Sequence, residues 1–208
     1  PAGGSALVPV ARALKVAQAP SLDGRVAGDP AWEAVPPLTD FWQTAPDAGQ
    51  PASERTEVRI AYTEDALYVG VTLYDRSSEG LTLSDSRRDS PLDDVDSFRI
   101  LLDTYKDRQN GFVFATTPAA LEYEGQVIGE GGMNLGGGGG GGRQQSGSGG
   151  GFNLNWDGAW RVRTAMTDDA ERPRSAPNRL VAIWNSCTAS MGRLIRGPPT
   201  TSSLLSCP

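Results

Sequence analysis

Apolar and polar positions alternate with a period of two through SERTEVRIAYTEDALYVGVTLYD, residues 53–75. Val58, Ile60 and Tyr62 fall on one side of the first stretch, and Leu67, Val69, Val71 and Leu73 on one side of the second. The acidic pair Glu64 and Asp65 separates them. This spacing predicts an antiparallel hairpin with one buried face. The pattern returns from Ser97 to Asp103, where Phe98, Ile100 and Leu102 alternate with Arg99 and Leu101. A polar turn from Asp107 to Gly111 leads into Phe112, Val113 and Phe114, the expected hairpin partner. Leu121 to Ile128 predicts a further strand, and so does Trp156 to Met166, where Trp160, Val162 and Thr164 alternate with Arg161 and Arg163. Upstream, Ala11 to Ala19 offers a short alternating strand. Leu22-Asp23-Gly24 reads as a turn, because Asp tolerates turn geometry and Gly adopts positive φ cheaply. Pro30 to Pro37 is expected to be irregular or a single helical turn, with Trp32 plugging one end of the core. No amphipathic stretch of helical length stands out, so the strand spacing by itself predicts an all-β class.

Two stretches break the alternation. Residues 129–151 collapse into GEGGMNLGGGGGGGRQQSGSGGG, a glycine run that cannot repay its ordering entropy and is expected to be a mobile loop. Phosphate binding requires a strand before the run, a helix after it and a Lys-Ser/Thr or spaced-glycine signature, and the full combination is absent. After Asp168 and Asp169 the chain turns Arg-, Pro- and Ser-rich without period two. The expected organisation is a flexible lead over residues 1–11, one β domain over 12–170, and an atypical, disordered tail over 171–208.

Charge sharpens that last boundary. Residues 1–170 carry 24 acidic and 14 basic side chains, whereas residues 171–208 carry Glu171 and five arginines. Both cysteines, Cys187 and Cys207, lie in the tail. The switch suggests a change of coding frame or a truncation near Ala170, which reading the neighbouring nucleotide sequence in the other two frames would check. An acidic body repels nucleic acid. No apolar run approaches the ~20 residues a membrane-spanning helix needs. The chain contains no histidine, which removes Ser-His arrangements and histidine-based zinc sites. Carboxylates remain for glycosidase-type chemistry, but nothing in the sequence singles out a pair. The expectation is therefore a protein that is not an enzyme.

The order LDG, DPAW, F, ERTEV, Y and ALYVGV, within residues 22–71, resembles the carbohydrate-binding module family 9-like domains. It is most similar to the variant at the N-terminus of bacterial outer-membrane β-barrel proteins of poorly defined function. The resemblance runs from about Leu14 to Met166. It implies an antiparallel β-sandwich of jelly-roll type and a non-catalytic module that binds a polysaccharide or oligosaccharide, accessory to carbohydrate breakdown. It also implies a periplasmic, cell-surface or extracellular location. The competing implication is a periplasmic interaction or gating domain of an outer-membrane barrel, binding protein rather than sugar.

Sugar binding needs an aromatic ring on a rigid surface with polar groups beside it to bond hydroxyls. Trp42 follows Phe41, so in extended chain one of the two faces outward. Trp156 sits in the loop sequence Asn155-Trp156-Asp157-Gly158, and Trp160 opens the next strand, where packing competes with a platform role. Arg87 and Arg88 precede Asp89 in SDSRRDSPLDDVDSF, and either could bond a polar ligand or pair with Asp93, Asp94 or Asp96. Those three aspartates carry hard oxygens of the kind calcium takes. Modules of the resembled type often hold a structural calcium, so the resemblance implies a site there.

Overall fold

The computed structural model describes residues 10–75, 82, 87–92, 95–129, 151–167, 178–179, 193–195 and 202–205. The described chain is mostly strand, with one four-residue helix. In chain order the elements are β1 (Val10–Ala11), β2 (Leu14–Lys15), α1 (Pro30–Glu33), β3 (Thr56–Tyr62), β4 (Leu67–Tyr74), β5 (Phe98–Leu102) and β6 (Gly111–Thr116). β7 (Tyr123–Ile128), β8 (Gly151–Asn153), β9 (Met166–Thr167), β10 (Asn178–Arg179), β11 (Arg193–Ile195) and β12 (Ser202–Leu205) follow. They form an open five-stranded sheet in the order β2-β3-β4-β10-β9, an open four-stranded sheet β5-β6-β7-β8, and a small sheet β1-β12-β11. No helix among the described residues is long and apolar enough to cross a membrane.

The two principal hairpins are those that the alternation predicts. β3 and β4 pair antiparallel from Thr56 opposite Leu73 to Tyr62 opposite Leu67. The loop at Glu64 and Asp65 closes with the Thr63 amide donating to the Ala66 carbonyl at 2.9 Å. β5 and β6 pair from Phe98 opposite Thr116 to Leu102 opposite Phe112. Their connection is self-supporting: the Asp103 carboxylate accepts the amides of Asp107 and Arg108 at 3.2 and 3.0 Å. Asp107 accepts those of Gln109 and Asn110, both at 2.8 Å.

One apolar cluster joins the two large sheets. Val58, Ile60, Leu67, Val69 and Val71 of β3 and β4 meet Phe98, Ile100, Leu102 and Phe114 of β5 and β6, with Trp160 and Val162 filling the space. Burying a side chain of this size stabilises by roughly 1.5–3 kcal/mol, so this cluster dominates the folding energy. The far face of the β3-β4 sheet is capped by α1. Asp29 starts that helix by accepting the Ala31 amide at 2.9 Å, Pro30 supplies the preset first turn, and Trp32 is driven against Val26, Val35 and Ala61. Trp32 is buried, but in this separate cluster on the far face and not, as expected, at an end of the core between the sheets.

The four-stranded sheet is covered on both faces. Residues directly opposite one another across a sheet share a face. The core-facing rows are Ile100, Phe114 and Glu124, and Leu102, Phe112, Gln126 and Asn153. On the other face Leu101, Val113 and Val127 pack with Phe152, and Leu92, Ala115 and Leu121 with Tyr123 and Val95.

Several expected elements differ in extent. The strand expected from Ala11 to Ala19 is two short pieces, β1 pairing with β12 and β2 running parallel to β3. The strand expected over Trp156 to Met166 is limited to β9. Trp160 and Val162 are buried and Arg161 and Arg163 exposed, as the alternation requires, but residues 156–165 belong to no ladder among the described residues. Their burial comes from side-chain packing, and their extended path passes the turn at Gly24 (φ +84°), where a Cβ would lie 2.7 Å from the Thr164 carbonyl carbon. Gly151, expected within the glycine loop, opens β8, because Phe152 can lie on the apolar outer face opposite Val127. Residues 130–150 of that loop lie outside the described residues, as do most of the tail and both cysteines. Within the tail, β10 pairs with β4 and β9, and β11 with β12.

Candidate functional site

The richest gathering of polar and aromatic groups lies on the core-facing side of β6 and β7, where the turn 155–160 folds back over the sheet. Its centre is Glu124 of β7, 1% exposed and directly opposite Phe114. A carboxylate in that position requires donors to offset its lost hydration. The Trp160 indole Nε1 donates to Oε2 at 3.0 Å, the Gly158 amide donates to Oε1 at 3.4 Å, and the Arg88 guanidinium donates to Oε1 as well.

Arg88 carries the site outward. Its guanidinium, 43% exposed, bonds Glu124 on the inside and Asp157, 79% exposed, on the solvent side, with Glu122 at 3.6 Å. Of the aspartates that the sequence offered as partners, Asp93 and Asp94 lie outside the described residues, and Asp96 accepts the Thr82 amide. Asp89 adopts φ +57° and its amide donates to the Glu122 carbonyl at 3.0 Å, which lays the Arg87–Ser90 turn along β7 and its acids. Burial holds the Asp89 carboxyl above its ordinary value, with Arg88 opposing and Asp157 reinforcing the shift. Arg87 is exposed in the same turn.

Trp156 supplies the ring. It is half-buried, with Phe112 at 4.4 Å between centroids and Phe114 at 5.7 Å edge-on. Phe114 also meets Trp160 edge-on at 5.4 Å, and Tyr105, 61% exposed, continues the aromatic row past Phe112 at 6.5 Å. Offset and edge-on contacts of this kind stabilise ring positions beyond simple burial. Gly158 permits the arrangement: a Cβ there would fall 2.9 Å from Trp156 Cη2 and 3.2 Å from Phe114 Cε1.

The structure thus brings Arg88, Trp156 and Trp160 together, with Arg87 on the same turn. Trp160 is in the core and serves as wall and hydrogen-bond donor, with no free ring face. Trp42 stands elsewhere. Of the adjacent pair, one of which was expected to face outward, Phe41 is buried and Trp42 is 43% exposed, and Trp42 bridges to Pro51 in its own loop. No ring contact among the described residues joins it to Trp156.

Of the aspartates considered for calcium, Asp93 and Asp94 lie outside the described residues. Asp96 accepts the Thr82 amide at 2.9 Å. No group of three metal-ligating side chains converges among the described residues.

Glu124 and Asp157 were not singled out from the sequence. In LEYEGQVI the acids alternate with Leu121, Tyr123 and Val127, which reads as a solvated polar face; the usable signal is the proximity of two tryptophans and a glycine in NWDGAW. Comparison with known proteins adds no assignment: no family model, curated protein or solved structure matches the chain.

Proposed function

We propose that this chain is a non-catalytic carbohydrate-binding module built as a jelly-roll β-sandwich, exported beyond the inner membrane and accessory to polysaccharide breakdown. The observation that carries the reading is Trp156: a half-buried ring backed by Phe112, next in sequence to an aspartate that holds a half-exposed arginine. A pyranose offers an apolar C–H face to such a ring and hydroxyls to the groups beside it. Arg88 donates, and Asp157 and Glu122 accept. Glu122, Glu124 and Asp157 are all engaged in ion pairing with Arg88, which fits recognition better than proton transfer.

The experiment is a tryptophan-fluorescence titration with xylan and cello-oligosaccharides, repeated for Trp156→Ala and Trp42→Ala. Saturable change in the intact protein, lost in Trp156→Ala and kept in Trp42→Ala, supports the reading. No response to any glycan removes it. A second reading, a protein-binding domain of an outer-membrane barrel, draws on the apolar Ile128 and Leu154, 43% and 42% exposed on the β7-β8 margin. A silent glycan titration together with a barrel-coding continuation downstream would favour it.

A further inference from the structure

We infer that Glu124 is the positioning residue of this site, a single buried carboxylate that sets both the platform ring of Trp156 and the reading group of Arg88. The inference rests on the sugar-platform reading above and names the residue through which that platform is held. Two of the three donors to Glu124, the Gly158 amide and the Trp160 indole, lie in the turn that begins at Trp156. That turn cannot slide along the sheet without breaking a hydrogen bond to a buried charge, one of the costlier bonds to lose. Trp156 is then confined on two sides, by the backbone at Gly158 and by the rings of Phe112 and Phe114.

The third donor, Arg88, is fixed against the same carboxylate from a turn 36 residues earlier in the chain. Outside Glu124 it is held by Asp157, whose exposure leaves that pair weak and exchangeable, and by Glu122 at the longer distance of 3.6 Å. Ligand hydroxyls can therefore displace Asp157 from Arg88, while Glu124 stays covered and touches no ligand. Its effect on binding passes entirely through Trp156 and Arg88.

The test uses the full chain and two readouts. Wild type, Glu124→Gln and Trp156→Ala are titrated with xylo-oligosaccharides. Acrylamide quenching of Trp156 is measured as the difference between each protein and its Trp156→Phe counterpart. Glutamine keeps the shape and one acceptor but removes the charge. The expected result is a Glu124→Gln protein with an unchanged far-UV spectrum, about tenfold weaker binding and raised quenching of Trp156. Arg88→Lys, which leaves the bonds from Trp160 and Gly158 intact, lowers affinity without raising the quenching. Should Glu124→Gln fail to fold, Gly158→Ala, which presses a methyl against the Trp156 ring, carries the same two readouts and is expected to raise the quenching. Unchanged affinity and quenching in Glu124→Gln overturn the inference while leaving the sugar reading in place. A wild type that binds no glycan removes the sugar reading, and the quenching then decides on its own whether Glu124 sets the ring.

Discussion

Two buried glutamates, one on each large sheet, solve the same electrostatic problem by different means. Glu57 of β3 is 6% exposed and draws its partners from its own neighbourhood. Arg55 and Arg59, two residues away on either side, both bond its carboxylate, and Tyr74 donates from the adjacent strand at 3.3 Å. Arg55 also lies over the Tyr74 ring at 4.7 Å. Glu124 of β7 is more deeply buried, and its partners come from two turns 34 to 36 residues away in sequence. The first arrangement ties a strand to itself and its neighbour, with two cations balancing one acid. The second ties distant segments together, with one cation among several acids, and leaves a ring and a half-exposed arginine at the surface. A buried charge served locally stabilises a sheet; one served from afar also shapes the surface above it.

Substitutions that break this contrast are expected to rank by how many distant segments each carboxylate holds. Glu124→Ala strands the Trp160 and Gly158 donors and the Arg88 charge, and should cost about 3 kcal/mol in urea unfolding, near the lower end for breaking a buried ion pair. A loss below about 1 kcal/mol would put Glu124 on a par with an ordinary hydrogen bond. Gly158→Ala should cost about 1–3 kcal/mol through overpacking against Trp156 and Phe114, with a shift in tryptophan emission that marks the moved ring.

Glu57→Gln should cost less, about 1–2 kcal/mol, because the amide oxygen still accepts from a local donor and the half-exposed Arg55 can turn to water. Its pH dependence sharpens the comparison. Burial pushes the Glu57 carboxyl upward, but the hydrogen bond from Arg59 and the charges of Arg55 and Arg59 outweigh it and leave it below its ordinary 4.5. A depressed folded-state value means that this stabilisation is fully present above about pH 4.5 and is lost as pH falls through the lower folded-state value. The difference in urea midpoint between wild type and Glu57→Gln should therefore be constant near neutrality and shrink in acid. A difference that grows as pH falls would reverse the sign. The smallest effect belongs to the exposed pair of Lys15 and Glu64, where Lys15→Met should leave the unfolding midpoint unmoved.

The same contrast explains what could be read from the chain beforehand. The β3-β4 and β5-β6 hairpins are local, and their alternation and turn residues state them outright. That one of Phe41 and Trp42 faces outward follows from adjacency alone, though not which. The helical turn at Trp32 follows from its Asp-Pro start. Glu124 was not legible, because period two places it on a polar face and only tertiary packing decides that this face turns toward the core. The pairing of Arg88 with Glu124 and Asp157 was not legible either, since it depends on a positive φ at Asp89 that lays the turn along β7. The burial of Trp160 was legible, but its bond to Glu124 depends on a pairing across 36 residues that no local pattern records. The absence of a ladder over residues 156–165 was equally hidden, because alternation reports which side chains are inside and says nothing of backbone partners.

The most direct measurement is titration calorimetry of the intact protein with xylo- and cello-oligosaccharides, run beside Trp156→Ala. Saturable heat with at least one oligosaccharide, abolished by the single substitution, is the expected result. Flat isotherms for the intact protein across the series, or equal binding with Trp156 removed, would contradict a sugar platform at this ring.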